Sequence, residues 1–344
     1  MLAVCTKEDG TAELRQVDVP KIRSDEVLVK VVAAAQNPAD WVFTEWRKGK
    51  EPAIVGLDFA GIVQEVGQSI DSFQVGDRVA GMVHGCKDLN GSFAEYVAAI
   101  PHMMFKVPES WSLEDASQLP CACYTACQSL YQSQDLPYPD NPAPVPFDIL
   151  SWASGTSVGQ FTVQLAKLGG MRVIATASPK HFDRLKALGI DDVFDYHDPD
   201  VSKKIKAYTN GKLRHAVDCI CKEDTPKAIS DALSDEGGTV SVVRQIKPAR
   251  DEVKHVFALA LDLSERPYSF PFEYTPKPGM ADFADKSSKM IARLLREGKL
   301  TPAPIKVYPD GLASFKEGFE YMKSGQVSGE KIVYRVADTP GIRS

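Results

Sequence analysis

Between Phe147 and Val243, short apolar runs alternate with amphipathic stretches, and that alternation leaves few folds open. Phe147-Asp-Ile-Leu-Ser151 reads as a strand, and 158–168, with Val163, Leu165, Ala166 and Leu168, as a helix. Met171-Arg-Val-Ile-Ala-Thr176 reads as a second strand and Lys180 to Leu188 as a second helix closed by Gly189. Asp192-Val-Phe-Asp195, His215-Ala-Val-Asp-Cys-Ile220 and Gly237-Gly-Thr-Val-Ser-Val-Val243 supply three more strands, with helices near 200–208 and 225–234. This order implies a parallel sheet with helices on both faces, and a dinucleotide sits at the first strand-to-helix turn of such sheets. Here that turn is Trp152-Ala-Ser-Gly-Thr-Ser-Val-Gly159. Against G-x-G-x-x-G its two earlier glycine slots hold Ser154 and Thr156. The N–H groups and dipole of the following helix suit a pyrophosphate. The hydroxyls of Ser154, Thr156 and Ser157 are candidate extra donors. Alone, the turn also fits an ordinary strand-to-helix connection, and the surrounding alternation is what gives it weight.

The rest of the chain divides around this block. Residues 1 to about 125 read as β-rich, with strands at Glu26–Val32, Ala53–Gly56, Ala60–Val66, Asp77–Val83 and Ser92–Ala98. Pro137, Pro139, Pro142, Pro144 and Pro146 mark an extended connection. After the block come a helix near 281–297, a strand at Ala303–Tyr308, a helix over Ala313–Lys323 and a last strand at Lys331–Val336. The last strand is expected to fold back onto the first part. The expected domains are 1–125, 126–265 and 266–344, the third rejoining the first.

Composition narrows the function classes. The 344 residues are 44% apolar and 25% charged, as in a soluble globular protein with room for two domains. The net charge of −6 argues against sequence-independent nucleic-acid binding. No run of about 18 apolar residues offers a membrane span, and the first residues lack a basic stretch followed by an apolar one, so no secretory signal is expected. Seven cysteines, an odd count, suggest reduced thiols and a cytoplasmic location. Cys121-Ala-Cys123 and Cys219-Ile-Cys221 are too closely spaced for a usual zinc pair, and small apolar filler accounts for them.

Gly56-Leu-Asp-Phe-Ala-Gly-Ile-Val-Gln-Glu-Val-Gly67, Val75-Gly-Asp-Arg-Val79, the alternating block and Gly329-Glu-Lys-Ile-Val333 together resemble the medium-chain dehydrogenase/reductase superfamily over essentially the whole chain. The resemblance implies a GroES-like catalytic domain and a Rossmann domain binding a nicotinamide cofactor. Zinc members carry G-H-E-x-x-G where this chain has Gly56-Leu-Asp-Phe-Ala-Gly61, and the early cysteine slot falls at Asn37. No metal is therefore expected, and hydride transfer to a conjugated double bond is expected rather than alcohol oxidation. Asn37-Pro-Ala-Asp-Trp41, Leu119-Pro-Cys-Ala-Cys-Tyr-Thr-Ala126, Ile174 to Asp183 and Val193-Phe-Asp-Tyr196 are similar, more narrowly, to fungal trans-acting enoyl reductases serving polyketide synthases.

That resemblance carries roles with it. Pro38, Ala39, Asp40 and Trp41 are implied at the nicotinamide end. Gly155, Thr156, Ser157 and Val158 are implied to cradle the pyrophosphate. Ser178, Pro179, Lys180 and His181 are implied to take the 2′-phosphate of NADPH, and Tyr196 to pack beside the adenosine. Val243 and Arg244 are implied near the nicotinamide, with Ser328 and Gly329 from the C-terminal segment. Thr125, Ala126, Cys127, Gln128, Ser129, Leu130, Tyr131 and Gln132 are implied to border the acyl substrate. Thr125 is the candidate stabiliser of a thioester oxygen and Tyr124 a candidate acid. The residues themselves agree on the cofactor, since no acidic residue stands at the end of the second strand before Asp183, where NAD would need one. Ser178 and Pro179 also suit a helix start, and the two roles are compatible.

One departure stands out: many members of the family it resembles read N-P-x-D-W-K, and here the lysine slot is Val42, which can donate no proton. Three readings follow. The first is an enoyl reductase whose substrate rides on an acyl-carrier domain, the second an NADPH reductase of free quinones or enones, and the third a non-catalytic NADPH-binding relative. Lys286, Lys289, Arg293 and Arg296 form a basic stripe that would suit a carrier domain but reads first as a solvated helix face. A monomer and a homodimer both remain open.

Overall fold

In Ala122–Ala260, one of two units into which the chain divides, the expected alternation becomes a six-stranded, all-parallel sheet. The computed structural model describes residues 1–342. The strands are Asp148–Trp152, Arg172–Ala177, Asp192–Asp195, His215–Asp218, Gly238–Val242 and Val253–Phe257. Numbered in that order, they lie 3-2-1-4-5-6 across the sheet. The order reverses beside the first strand, so the turn after Trp152 stands at the switch point where such sheets bind ligands. Ile149, Leu150, Val173, Ile174, Ala216 and Val217 have no exposed surface, as strands covered on both faces require. Helices Ser157–Leu168, Phe182–Ala187, Val201–Tyr208 and Thr225–Ala232 follow the first four strands. Ile205 and Ile229 join Leu150, Ile174 and Val240 in one apolar core.

The sixth strand was not among those expected. Val253-Lys-His-Val-Phe257 lies at the sheet edge, and only Val253 is buried. An edge strand can keep polar positions, so the apolar run that marks a central strand is missing.

The other unit comprises Met1–Cys121 and the segment from Leu261 onward. Its main sheet runs Ile305–Tyr308, Lys331–Arg335, Val27–Ala35, Asp58–Val66, Arg78–Met82 and Met104–Lys106, with Tyr96–Ala99 also paired to Val27–Ala35. Lys331–Arg335 runs antiparallel to Val27–Ala35, with Val333 opposite Ala35, so the C-terminal segment does return to the first part. Two expected strands change. Ala53–Gly56 is irregular apart from a single bridge between Ile54 and Cys5, because Ala53 N–H goes to Thr6 Oγ1 and Val55 N–H to Val4 O. Ser92–Ala98 shortens to Tyr96–Ala99, since the Phe93 backbone pairs with Val55 and Val4 instead.

A helix at Pro38–Trp46 was also unexpected. Asn37 is extended at its N-cap, Pro38 opens the first turn, and the Asp40 carboxyl takes the Asn37 N–H at 2.6 Å. Its buried positions are Asp40, Phe43 and Thr44, two of them polar, which hides the apolar period. Among the described residues no helix is long and apolar enough to cross a membrane.

Candidate functional site

The turn after Trp152 is held from within. Ala153 adopts φ 62°, a left-handed conformation that favours glycine. Its N–H goes to Thr176 Oγ1, and the Ser154 N–H goes to Thr176 O, which ties the turn to the end of the second strand. Thr156 caps the following helix by accepting the Gly159 N–H at 3.1 Å, while its hydroxyl donates to Ala153 O at 2.9 Å. The Ser154 hydroxyl is fully buried and donates back to Ser151. This corrects the expectation for two hydroxyls: the Ser154 and Thr156 hydrogens are committed to the turn. Ser157, at the first helical position, remains a candidate donor with the backbone N–H groups. Gly159 is required for packing, because a Cβ there would stand 2.6 Å from Ser154 Cα and 2.7 Å from Ala153 O. A Cβ on Gly155 would instead meet the His181 ring at 3.3 Å, so that imidazole lies beside the turn.

The end of the second strand forms the other wall. Ser178 precedes a 3-10 turn at Pro179–His181 and makes no side-chain cap. Its hydroxyl is 3.2 Å from the Tyr196 phenol, which joins this turn to the end of the third strand. Lys180 and Tyr196 are exposed, and the Tyr196 ring packs on His197 at 4.0 Å. Burial, then the charges of Arg184 and Lys180, hold His181 below its ordinary value. Burial also lowers Arg184. Arg184 was not singled out from sequence; its spacing of three from His181 on a helical segment is the signal that could have found it. Val243 and Arg244 follow the fifth strand, and their backbone groups oppose the burial that pushes the Cys221 thiol up to about 12. The C-terminal edge of the parallel sheet therefore gathers Gly155, Thr156, Ser157, Val158, Ser178 to His181, Tyr196, Val243 and Arg244.

The segment expected to border the substrate changes pitch. Helix Pro120–Cys127 passes into a π-helical turn at Gln128–Gln132, a distortion often found at functional sites. Tyr124, Ala126, Cys127, Ser129 and Leu130 have no exposed surface; Thr125, Gln128 and Tyr131 keep a trace, and Gln132 is exposed. Gln128 Oε1, Ser129 Oγ and Tyr131 Oη are buried without a hydrogen-bond partner among the described residues, and the Tyr131 ring stacks on Tyr138 at 4.0 Å.

In the β-rich unit, Pro38, Ala39, Asp40 and Trp41 form the first turn of the Pro38–Trp46 helix, and Val42 follows, half-buried. Lys323 Nζ lies over the Trp41 ring at 5.3 Å. Ser328 and Gly329 precede the Lys331–Arg335 strand, with Gly329 at φ 70°. Asn37 and Asp58, the positions that the family resemblance sets against zinc ligands, sit in a closed polar network. Lys331 Nζ donates to Asn37 Oδ1 at 2.7 Å and lies 3.3 Å from Asp58 Oδ2. Asn37 Nδ2 donates to the same Asp58 oxygen at 2.8 Å, and the Cys121 N–H reaches Asp58 Oδ1 at 2.8 Å. All three side chains are buried. Burial raises the Asp58 carboxyl, opposed by Lys331, Asn37 and the Cys121 N–H. Among the described residues no three His, Cys, Asp or Glu side chains stand together as a metal-ligand set.

Asp40, fully buried beside this network, carries a pH prediction. Burial, opposed by the Asn37 N–H and reinforced by the Asp58 charge, pushes its carboxyl up to about 8 from an ordinary 3.8. The folded protein thus holds a proton that the unfolded chain releases near pH 4. Its stabilising contribution is complete below that pH and is lost as pH rises toward 8, at about 1.4 kcal/mol per unit. Chemical denaturation across this range should show the decline, and Asp40→Asn should reduce its slope, leaving the share of the buried Asp58 carboxyl. An equal slope in the variant would assign the effect elsewhere.

The alcohol dehydrogenase GroES-like domain matches residues 23–109, and the zinc-binding dehydrogenase domain matches residues 157–261. The trans-enoyl reductase ACTTS2 of Alternaria alternata is 34% identical over 339 residues, covering 97% of this chain and 98% of that protein. The trans-enoyl reductase ccsC of Aspergillus clavatus is 34% identical, covering 92% and 91%. Among solved structures, an alcohol dehydrogenase superfamily protein from Novosphingobium aromaticivorans matches with TM-score 0.82 at 22% identity, covering 97% of this chain and 99% of that one. The CurK enoyl reductase matches with TM-score 0.78 at 20% identity, covering 96% and 98%. At these identities the two structures establish the shared fold.

Proposed function

The chain belongs to the trans-enoyl reductases of the medium-chain dehydrogenase/reductase family, and from that premise we propose that it is a cytoplasmic, NADPH-dependent, zinc-independent reductase of an α,β-unsaturated polyketide thioester carried on a synthase acyl-carrier domain. It is an oxidoreductase. The enoyl substrate rests on the near-full-length similarity to proteins of that name. The observation that carries the cofactor choice is the cluster of Ser178, Lys180 and His181 beside Tyr196, where an NAD site would present a carboxylate. Zinc independence is supported by Lys331, which brings a cation of the protein's own to Asn37 and Asp58.

The residues fit the cofactor. Gly155 leaves the turn open except toward His181, and the N–H groups of Ser157 and Val158 open the helix that would hold the pyrophosphate, the Thr156 N–H being used by Ala153 O. Ser178, Lys180 and His181 would hold the 2′-phosphate. Pro38 to Trp41, Val243, Arg244, Ser328 and Gly329 are proposed at the nicotinamide end. Bound NADPH supplies the hydride for the β-carbon of the enoyl thioester. The Thr125 hydroxyl donates to the thioester oxygen as negative charge builds there. The α-carbon then needs a proton, which Val42 cannot give. Tyr124 has no exposed surface, so solvent water is the proposed source.

Thr125→Val tests this assignment. It should lower kcat about 100-fold while leaving NADPH affinity unchanged, as loss of one oxyanion donor does. An unchanged kcat would remove Thr125 from the mechanism.

A further inference from the structure

We infer that His181 is a protonation switch for the cofactor: its ring takes up a proton from solvent as the 2′-phosphate binds, so that NADPH, unlike NADH, is held more tightly at low pH. The inference rests on the NADPH reading above and concerns the same site.

Geometry sets the imidazole between the two turns proposed to hold phosphate. On one side its Cδ2 stands 3.3 Å from where a Gly155 side chain would begin, so the ring flanks the pyrophosphate turn. On the other it belongs to the Pro179–His181 turn, whose leading Ser178 hydroxyl meets Tyr196 at 3.2 Å. Charged, titratable and polar groups reach its surroundings from three segments. Its own segment contributes Lys180, Asp183 and Arg184. The facing turn, Ala153 to Val158, contributes hydroxyls and backbone only. The end of the third strand contributes Tyr196 and His197, the latter paired with Asp195 at 2.7 Å.

In the free protein, burial and the Arg184 and Lys180 charges all disfavour the imidazolium. An arriving phosphate reverses that balance. It brings up to two negative charges near neutral pH, placed where Lys180 and Arg184 would otherwise repel a third cation. The ring can then hold a proton and donate it in a charge-assisted hydrogen bond. NADH has no 2′-phosphate, so its binding leaves the imidazole neutral. Because one proton is linked to one binding event, NADPH affinity should fall up to about tenfold per pH unit between the free and bound pKa values.

Titration calorimetry on the full chain, in two buffers of different ionisation enthalpy, reads the proton directly. NADPH should take up a proton near neutral pH and NADH should not. His181→Gln should abolish the uptake and flatten the pH dependence of NADPH affinity. Ser178→Ala, which weakens the same phosphate site without removing a titrating group, should keep the uptake. An NADPH preference with uptake unchanged in His181→Gln overturns the switch alone. Equal affinity for NADPH and NADH overturns the NADPH reading and the switch with it.

Discussion

Replacing Lys331 with methionine is expected to destabilise the protein by about 3–5 kcal/mol. Lys331 and Asp58 are almost wholly buried, with side-chain exposures of 3% and 0%. Removing the cation leaves the Asp58 carboxyl with only Asn37 Nδ2 and the Cys121 N–H, and it frees Asn37 Oδ1 of its donor. Both polar groups would then be underpaired in a dry environment, where the cost is greatest. Asn37 is also the N-cap of the Pro38–Trp46 helix, so the damage should reach the turn proposed at the nicotinamide end. Denaturant titration measures the loss. Adding Asp58→Asn should recover part of it by removing the stranded charge, whereas a loss below about 1 kcal/mol would mean that the pair is solvated and structurally minor.

The second large effect is expected at Gly159. An alanine methyl there would meet backbone atoms, Ser154 Cα and Ala153 O, that no rotamer change can move. The turn must shift, at a cost of about 1–3 kcal/mol. That shift displaces the helix N-terminus, so NADPH binding should weaken about tenfold, the affinity that about 1.4 kcal/mol of lost cradle contacts represents. Fluorescence titration of the reduced cofactor against Gly159→Ala checks this. Wild-type affinity would show that the turn tolerates the methyl and that its spacing does not set the cradle.

The parallel sheet was legible because five of its strands are short apolar runs bounded by turn residues, and the phosphate turn was legible by its place after the first of them. Val253–Phe257 was not, since an edge strand with Lys254 and His255 carries no apolar signature. The Pro38–Trp46 helix had a readable start in Asn37, Pro38 and Asp40, but burying Asp40 and Thr44 removed the periodicity that would have confirmed it. At the zinc slots the sequence showed only which ligands were missing. What fills them depends on Lys331 meeting Asn37 and Asp58 across 294 and 273 positions of chain, a contact set by strand pairing. The serine and threonine of the turn misled for a related reason: hydroxyls that look available in a list of residues are the first to be used by nearby backbone.

The most direct test of the proposed activity mixes the purified full-length protein with NADPH and an enoyl-pantetheine thioester, then with free quinones, and follows loss of reduced-cofactor absorbance. Turnover of the thioester with NADPH, and little with quinones or with NADH, is the predicted result. Turnover of quinones alone, or no turnover of any acceptor despite tight NADPH binding, would contradict it.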